Sequence, residues 1–395
     1  MQTSFGIDAI SLQTTNYYLD LEILAAERNV SPDNYLELGQ QKMAILPPDQ
    51  DIVTLAAEAA WRIVNKMSAD EIAAIDTILF ATESSIDQSK SAGVYLQTLL
   101  NLPKRLRVVE LKQACYGGTA GLMLALALLK QNPKRKILLI ASDVARYTLE
   151  SAAESSQGAA AVAMLLSANP RLLAIGEESA FYTEDVMDFW RPNYAREPLV
   201  DGKYSCEIYL KILSSCWKDY CALSGHKFLD HAYFCYHTPV PKLVGMAHRR
   251  LAKSEKIILD AAEIERQVGI SLWYGREIGN SYTASLYVGI ASLLENCVED
   301  LSGKRIGLYS YGSGCTGEFF SGVVVPGYQK NLFAIEHQEL LAKRTALDFQ
   351  QYLDFYNFTL PTDGGEYPIV HKTPHARFRF SALKNHKRFY SQEAQ

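Results

Sequence analysis

Metal-site and disulfide signatures are missing from this chain. Its seven cysteines are odd in number, unevenly spaced and never in a Cys-x-x-Cys pair, so they read as reduced thiols rather than a disulfide framework or a zinc site. Long apolar runs are absent too: residues 121–129 fall far short of the roughly 18–20 residues of a membrane span. The first ten residues lack the basic and apolar regions of a secretory leader, so the expected location is the cytoplasm. Neither sign of charge dominates. Lys and Arg number 39 against 44 Asp and Glu, a net −5, which offers nucleic acid no general attraction. No low-complexity segment or flexible linker divides the 395 residues; Thr-Asp-Gly-Gly-Glu at 362–366 reads only as a surface turn. A content of 48% apolar and 21% charged residues excludes disorder and leaves room for one large core or two domains.

Residues 107–130 say most about chemistry. A short extended run, 107–111, leads to Cys115, then Gly117 and Gly118, then a long segment rich in Ala and Leu. That pattern puts a thiol at the start of a buried helix, where unpaired N–H groups and the positive helix end favour thiolate. The two glycines allow close approach of a substrate or another backbone. The plain alternative is a buried structural cysteine.

Apolar segments at 77–81, 136–141, 159–166, 233–236, 305–310 and 321–325 read as buried strands. Helical patterns at 53–67, 89–99, 118–129, 204–223 and 284–294 separate them. This alternation predicts an α/β architecture around a largely parallel sheet. The pattern also repeats. Residues 140–143 and 157–166 in the first half parallel 308–314 and 317–325 in the second; the strands ending at Glu83 and His237 form another pair. A duplicated α/β unit is expected, with its site where strand ends of both halves converge.

A cysteine nucleophile needs a proton partner and a means of holding an oxyanion. His237 follows an apolar strand and precedes Thr-Pro-Val-Pro, which suits it to catalysis or to a satisfied place in the core. Glu83 ends a strand in Ala-Thr-Glu-Ser; burial would raise its pKa toward that of a general base, though a helix cap is the bland reading. Asn280 is either an amide donor to a carbonyl or an N-cap. The Gly-Ser-Gly at 312–314 is a weak signal for an oxyanion donor. Lys242 and the basic residues Arg249, Arg250 and Lys253 suit a phosphate-bearing carrier, or else form a solvated helix face.

Six segments in order carry a more specific message: Ala-Thr-Glu-Ser-Ser-Ile-Asp-Gln-Ser-Lys (81–90), Ala-Cys-Tyr-Gly-Gly-Thr-Ala (114–120), Tyr-Thr-Glu-Asp-Val-Met-Asp-Phe-Trp-Arg-Pro (182–192), Leu-Val-Asp-Gly-Lys-Tyr-Ser (199–205), Gly-Asn-Ser-Tyr-Thr (279–283) and Tyr-Ser-Tyr-Gly-Ser-Gly (309–314). Together with a basic, aromatic tail at 385–390 they resemble the 3-hydroxy-3-methylglutaryl-CoA synthases, a branch of the thiolase and ketoacyl-synthase superfamily. The bacterial branch is nearest. The resemblance implies a thiolase-like duplicated α/β unit, layered α-β-α-β-α, with halves at 1–170 and 171–395. It implies Cys115 as nucleophile, Glu83 as general base and His237 as acid and ketone polariser. Tyr116, Asp143, Asp188, Asn280 and Ser313 fall on supporting positions, and Lys242 with Arg249 on coenzyme A contacts. The family often carries another lysine shortly after Lys242; Gly245 and Met246 occupy that stretch here.

The implied reaction condenses acetyl-CoA with acetoacetyl-CoA through an acetyl-Cys115 intermediate, on the mevalonate route to isoprenoids. It needs no cofactor beyond the coenzyme A thioesters, and a homodimer without nucleic-acid or membrane partners is expected. Two alternatives stand beside it. One is a β-branching synthase of polyketide assembly acting on carrier-protein-bound substrates; the other is a non-catalytic thiolase-like scaffold.

Overall fold

The structure is a computed structural model and describes residues 3–393. Nine strands form one sheet: β1 (Phe5–Thr14), β2 (Ile75–Ala81), β3 (Arg107–Leu111), β4 (Lys136–Ala145), β5 (Gly158–Ala168), β6 (Leu173–Thr183), β7 (Tyr233–Tyr236), β8 (Arg305–Gly312) and β9 (Thr316–Val324). Their spatial order is β7-β8-β9-β6-β1-β5-β4-β2-β3. Read outward from the middle, the sheet repeats itself. On one side β1, β5 and β4 pair antiparallel and β2 then adds in parallel. On the other, β6, β9 and β8 pair antiparallel and β7 adds in parallel. Only β3, parallel to β2, lacks a counterpart.

The halves are stitched by a short antiparallel contact of Gly6 with Ala174 and Ile7 with Leu173. A Cβ on Gly6 would lie 2.0 Å from the Leu173 carbonyl oxygen, so only glycine permits this approach.

The sheet is mixed rather than largely parallel. The cause is connection length. β8 turns into β9 over three residues, and no α-helix intervenes between β4 and β5; neither link can make the helical crossover that parallel neighbours require. The parallel pairs are those with helices between them.

Five helices build the layers: α1 (Ile52–Val64), α2 (Gly117–Gln131), α3 (Gly202–Ser224), α4 (Pro241–Ser254) and α5 (Ser285–Asn296). α1 lies across β1, β4 and β5, while α3 covers β6 and β9 with α4 beside it. Between the two halves of the sheet run α2, against β2 and β4, and α5, against β7 and β8. The result is a thiolase-like α-β-α-β-α stack. The central helices meet at their N-terminal ends. A Cβ on Gly118 would lie 2.7 Å from the Tyr287 ring and 2.8 Å from the Thr283 carbonyl oxygen, and Thr119 Oγ1 bonds the Tyr287 hydroxyl at 2.8 Å. Among the described residues no helix is long and apolar enough to cross a membrane.

The basic, aromatic tail is a hairpin, Phe378–Lys384 with Lys387–Gln392. Asn385 and His386, at φ 49° and 60°, form the two-residue left-handed turn that matches strand twist. It folds back onto α1, where Arg388 Nη1 and the Tyr390 hydroxyl donate to Asp51 Oδ2 at 2.9 and 2.7 Å. Asp51 also caps that helix.

Candidate active site

Cys115 follows β3 and a short loop whose Ala114 has φ 43°, and Tyr116 alone separates it from α2. Its thiol donates to Glu83 Oε1 at 3.0 Å. Glu83 stands two residues beyond the end of β2, so two adjacent parallel strands deliver the pair. Both side chains are ringed by protein yet keep some accessible surface. Burial first, then the neighbouring Glu83, hold the Cys115 thiol well above its usual range. Burial and the Asp143 charge push Glu83 from 4.5 to about 8, against the opposing pull of the Cys115 hydrogen bond and Arg191. The thiolate expected from the helix start is therefore not the resting state. A half-charge at a helix end is outweighed by desolvation and an adjacent carboxylate.

Asp143, on β4, holds this arrangement in place. Its Oδ1 accepts from the Thr82 hydroxyl at 2.8 Å and the Glu83 N–H at 2.9 Å, and its Oδ2 from the Thr283 N–H at 3.1 Å and the Thr283 hydroxyl. It thereby ties the end of β2 to the turn Tyr282–Ala284 that opens α5. Asn280 shapes the same turn. Its Oδ1 accepts the Tyr282 N–H at 2.9 Å, and its amide donates to the Tyr147 hydroxyl at 3.3 Å. Tyr147, Tyr282 and Phe189 meet edge-on and wall the space beside Cys115.

His237 follows β7 and is 3% exposed. Its N–H donates to the Tyr309 carbonyl at 2.7 Å, its own carbonyl accepts the Tyr209 hydroxyl at 2.9 Å, and Nδ1 lies 2.7 Å from Ser285 Oγ. Burial lowers the imidazole from 6.5 to about 3, which leaves it neutral. Ser285, at the start of α5, meets His237, and Thr283 two residues earlier bonds the Asp143 carboxylate that also holds the Glu83 N–H.

A Cβ on Gly312 would lie 2.5 Å from the Gln113 carbonyl oxygen and 2.6 Å from the Tyr116 nitrogen; the turn with Ser313 thus packs against the Cys115 loop. The Ser313 carbonyl accepts Gln113 Nε2 at 3.4 Å. Asp188 is buried and accepts the Tyr311 hydroxyl, the Gly314 N–H and the Ser205 hydroxyl at 2.7, 2.9 and 3.0 Å, fixing that turn from behind. The Tyr116 hydroxyl donates to the buried Glu318 at 2.6 Å. Lys242 and Arg249 occupy the exposed face of α4, with Lys242 Nζ 3.6 Å from Glu37. His248 of the same basic run turns inward between Tyr236 and Gln267.

Arg191, Tyr147, Thr283 and Ser285 were not legible as site residues. Arg191 donates its guanidinium to the Glu83 carbonyl from a segment 108 residues away, a pairing that local sequence does not announce.

The N-terminal family model of hydroxymethylglutaryl-coenzyme A synthase matches residues 2–170, and the C-terminal model residues 175–256 and 250–362. The hydroxymethylglutaryl-CoA synthase of Enterococcus faecalis is 42% identical over 362 residues, covering 91% of this chain and 93% of the relative. A polyketide biosynthesis 3-hydroxy-3-methylglutaryl-ACP synthase of Bacillus subtilis is 33% identical over 367 residues, 88% of this chain and 87% of its own. A solved structure of MvaS in complex with 3-hydroxy-3-methylglutaryl coenzyme A superposes with a TM-score of 0.91 at 34% identity, over the full length of both chains. With both halves of the fold matched and a cysteine–glutamate pair at the meeting point of its central helices, the chain belongs to the hydroxymethylglutaryl-CoA synthase family.

Proposed function

We propose that this chain condenses acetyl-CoA with acetoacetyl-CoA to give 3-hydroxy-3-methylglutaryl-CoA. The observation that carries the reading is the 3.0 Å contact between Cys115 and a carboxyl whose pKa burial pushes up to about 8. The Cys115 sulfur attacks the acetyl carbonyl and coenzyme A leaves with the thiol proton. N–H groups of Cys115 and Ser313 hold the oxyanion. Glu83, as carboxylate, takes a proton from the acetyl methyl group, and the resulting enolate forms a carbon–carbon bond to the ketone of acetoacetyl-CoA. His237 polarises that ketone. Being neutral, it acts by hydrogen bonding; the proton on Glu83 returns to the new alkoxide, so the count closes without an imidazolium. Water then cleaves the Cys115 thioester. Asp143, Asn280 and Asp188 act by positioning Glu83, the α5 turn and the Ser313 turn, and Tyr116 by bracing the Cys115 loop.

Lys242 and Arg249 receive the phosphates of coenzyme A on α4, and no resident cofactor takes part. The two functional halves are 1–170 and 171–395, in keeping with the repeated strand order. A homodimer is supported by the apolar side chain of Leu124 on α2, 50% exposed, and by the unpaired outer edge of β3 with Val109 40% exposed. A cytoplasmic place on the mevalonate route completes the reading.

Incubation with both thioesters, following free thiol release and the acylated peptide, tests this directly. Turnover with free coenzyme A thioesters supports the proposal. Turnover only with acetyl-loaded carrier protein would move the chain to the polyketide branch, and absence of any Cys115 adduct would make it a scaffold.

A further inference from the structure

We propose that Ser285 is a positioning residue that fixes the tautomer of His237, so that the imidazole turns an Nε2–H donor toward the substrate. This rests on the polarising role given to His237 above. The Thr238 N–H donates to Ser285 Oγ at 3.0 Å, which occupies that oxygen as an acceptor. The hydroxyl hydrogen then has one partner among the described residues, His237 Nδ1 at 2.7 Å. Were the proton on Nδ1 instead, the Ser285 oxygen would accept twice and its own O–H, on a residue 5% exposed, would be left unpaired, an unfavourable state for a buried donor. Nδ1 therefore accepts and the ring proton sits on Nε2.

Two further features support the assignment. No hydrogen bond to Nε2 is made by the described residues, so that nitrogen is available to a ligand. His237 also sits at the N-terminal end of α5, whose positive dipole end disfavours an imidazolium, in agreement with the downward push from burial. Ser285 thus makes the histidine a fixed neutral donor.

Nitrogen-15 spectra of the histidine side chains, assigned with a His237→Ala variant, report the tautomer without any reaction. The expected wild-type result is an Nε2–H imidazole at neutral pH. Ser285→Ala should populate the Nδ1–H form and lower condensation turnover about tenfold, with acetylation of Cys115 unchanged; Ser285→Thr should restore both. An Nδ1–H or doubly protonated His237 in the wild-type protein overturns the proposal even if the alanine variant does not fold. So does an alanine variant with wild-type tautomer and turnover. Failure of the acyl-transfer reading would appear separately, as a missing Cys115 adduct.

Discussion

Two strand ends occupy matching places in the two halves of this molecule, Glu83 after β2 and His237 after β7, and the protein treats them alike. Each is enclosed, and in each the largest influence is loss of water, which favours the uncharged form. The outcomes differ because the residues differ. Desolvation lets the carboxyl hold its proton to about pH 8, and keeps the imidazole unprotonated until about pH 3. One architecture, repeated, shifts two groups in opposite directions by a single physical effect.

The largest expected effect is at the sulfur that both halves are proposed to serve. Cys115→Ser should lower acetyl-enzyme formation by roughly 10³-fold or more, and normal labelling of that variant in a mass-spectrometric assay would contradict the assignment. Glu83→Ala should still accept acetyl on Cys115 while condensation falls about 10²–10⁴-fold, the usual range for a lost general base; single-turnover kinetics separate the steps. His237→Ala should cost condensation roughly 10²–10³-fold, as for a lost oxyanion donor, with little change in acetyl transfer. Equal losses in both steps would remove the distinction between the halves.

The smallest effect is on stability. Glu83 has a folded pKa of about 8 against an ordinary 4.5, so between these values the folded state retains a proton that the unfolded chain has lost. The penalty for burying the carboxylate thus grows as pH rises and is fully present above about 8. Glu83→Gln should raise the melting temperature at pH 8.5 by roughly 2 °C, a modest value because the side chain is partly exposed, and the gain should vanish near pH 4.5. A gain that grows toward acid pH would show the sign to be wrong.

The elements legible in the sequence were those where local pattern and tertiary role coincide. β2, β4, β5, β7 and β8 are dense apolar runs, and their ends announced Glu83 and His237. β1 escaped notice because it buries Asp8, Ser11 and Gln13, whose partners Arg171, His337 and Arg62 lie far along the chain. β6 escaped because its second half is solvent-facing, with Glu177 and Glu178. α4 reads as a basic run until its inner face, Leu243, Val244, Ala247 and Leu251, is seen packed in the core. The same limit applied in the site. Cys115 sits in a distinctive local motif, whereas Arg191 and Ser285 matter only through residues 108 and 48 positions away, and Asn280 proved to shape a turn with its carbonyl while its amide meets Tyr147.

The most direct test of the Cys115–Glu83 pairing uses trideuteroacetyl-CoA in ordinary water without acetoacetyl-CoA, following the mass of the acylated Cys115 peptide over time. The account predicts that the wild-type adduct loses deuterium as Glu83 exchanges methyl protons, while Glu83→Ala carries the same adduct and keeps its label. Washout at the wild-type rate in that variant, or an adduct on another residue, would contradict it.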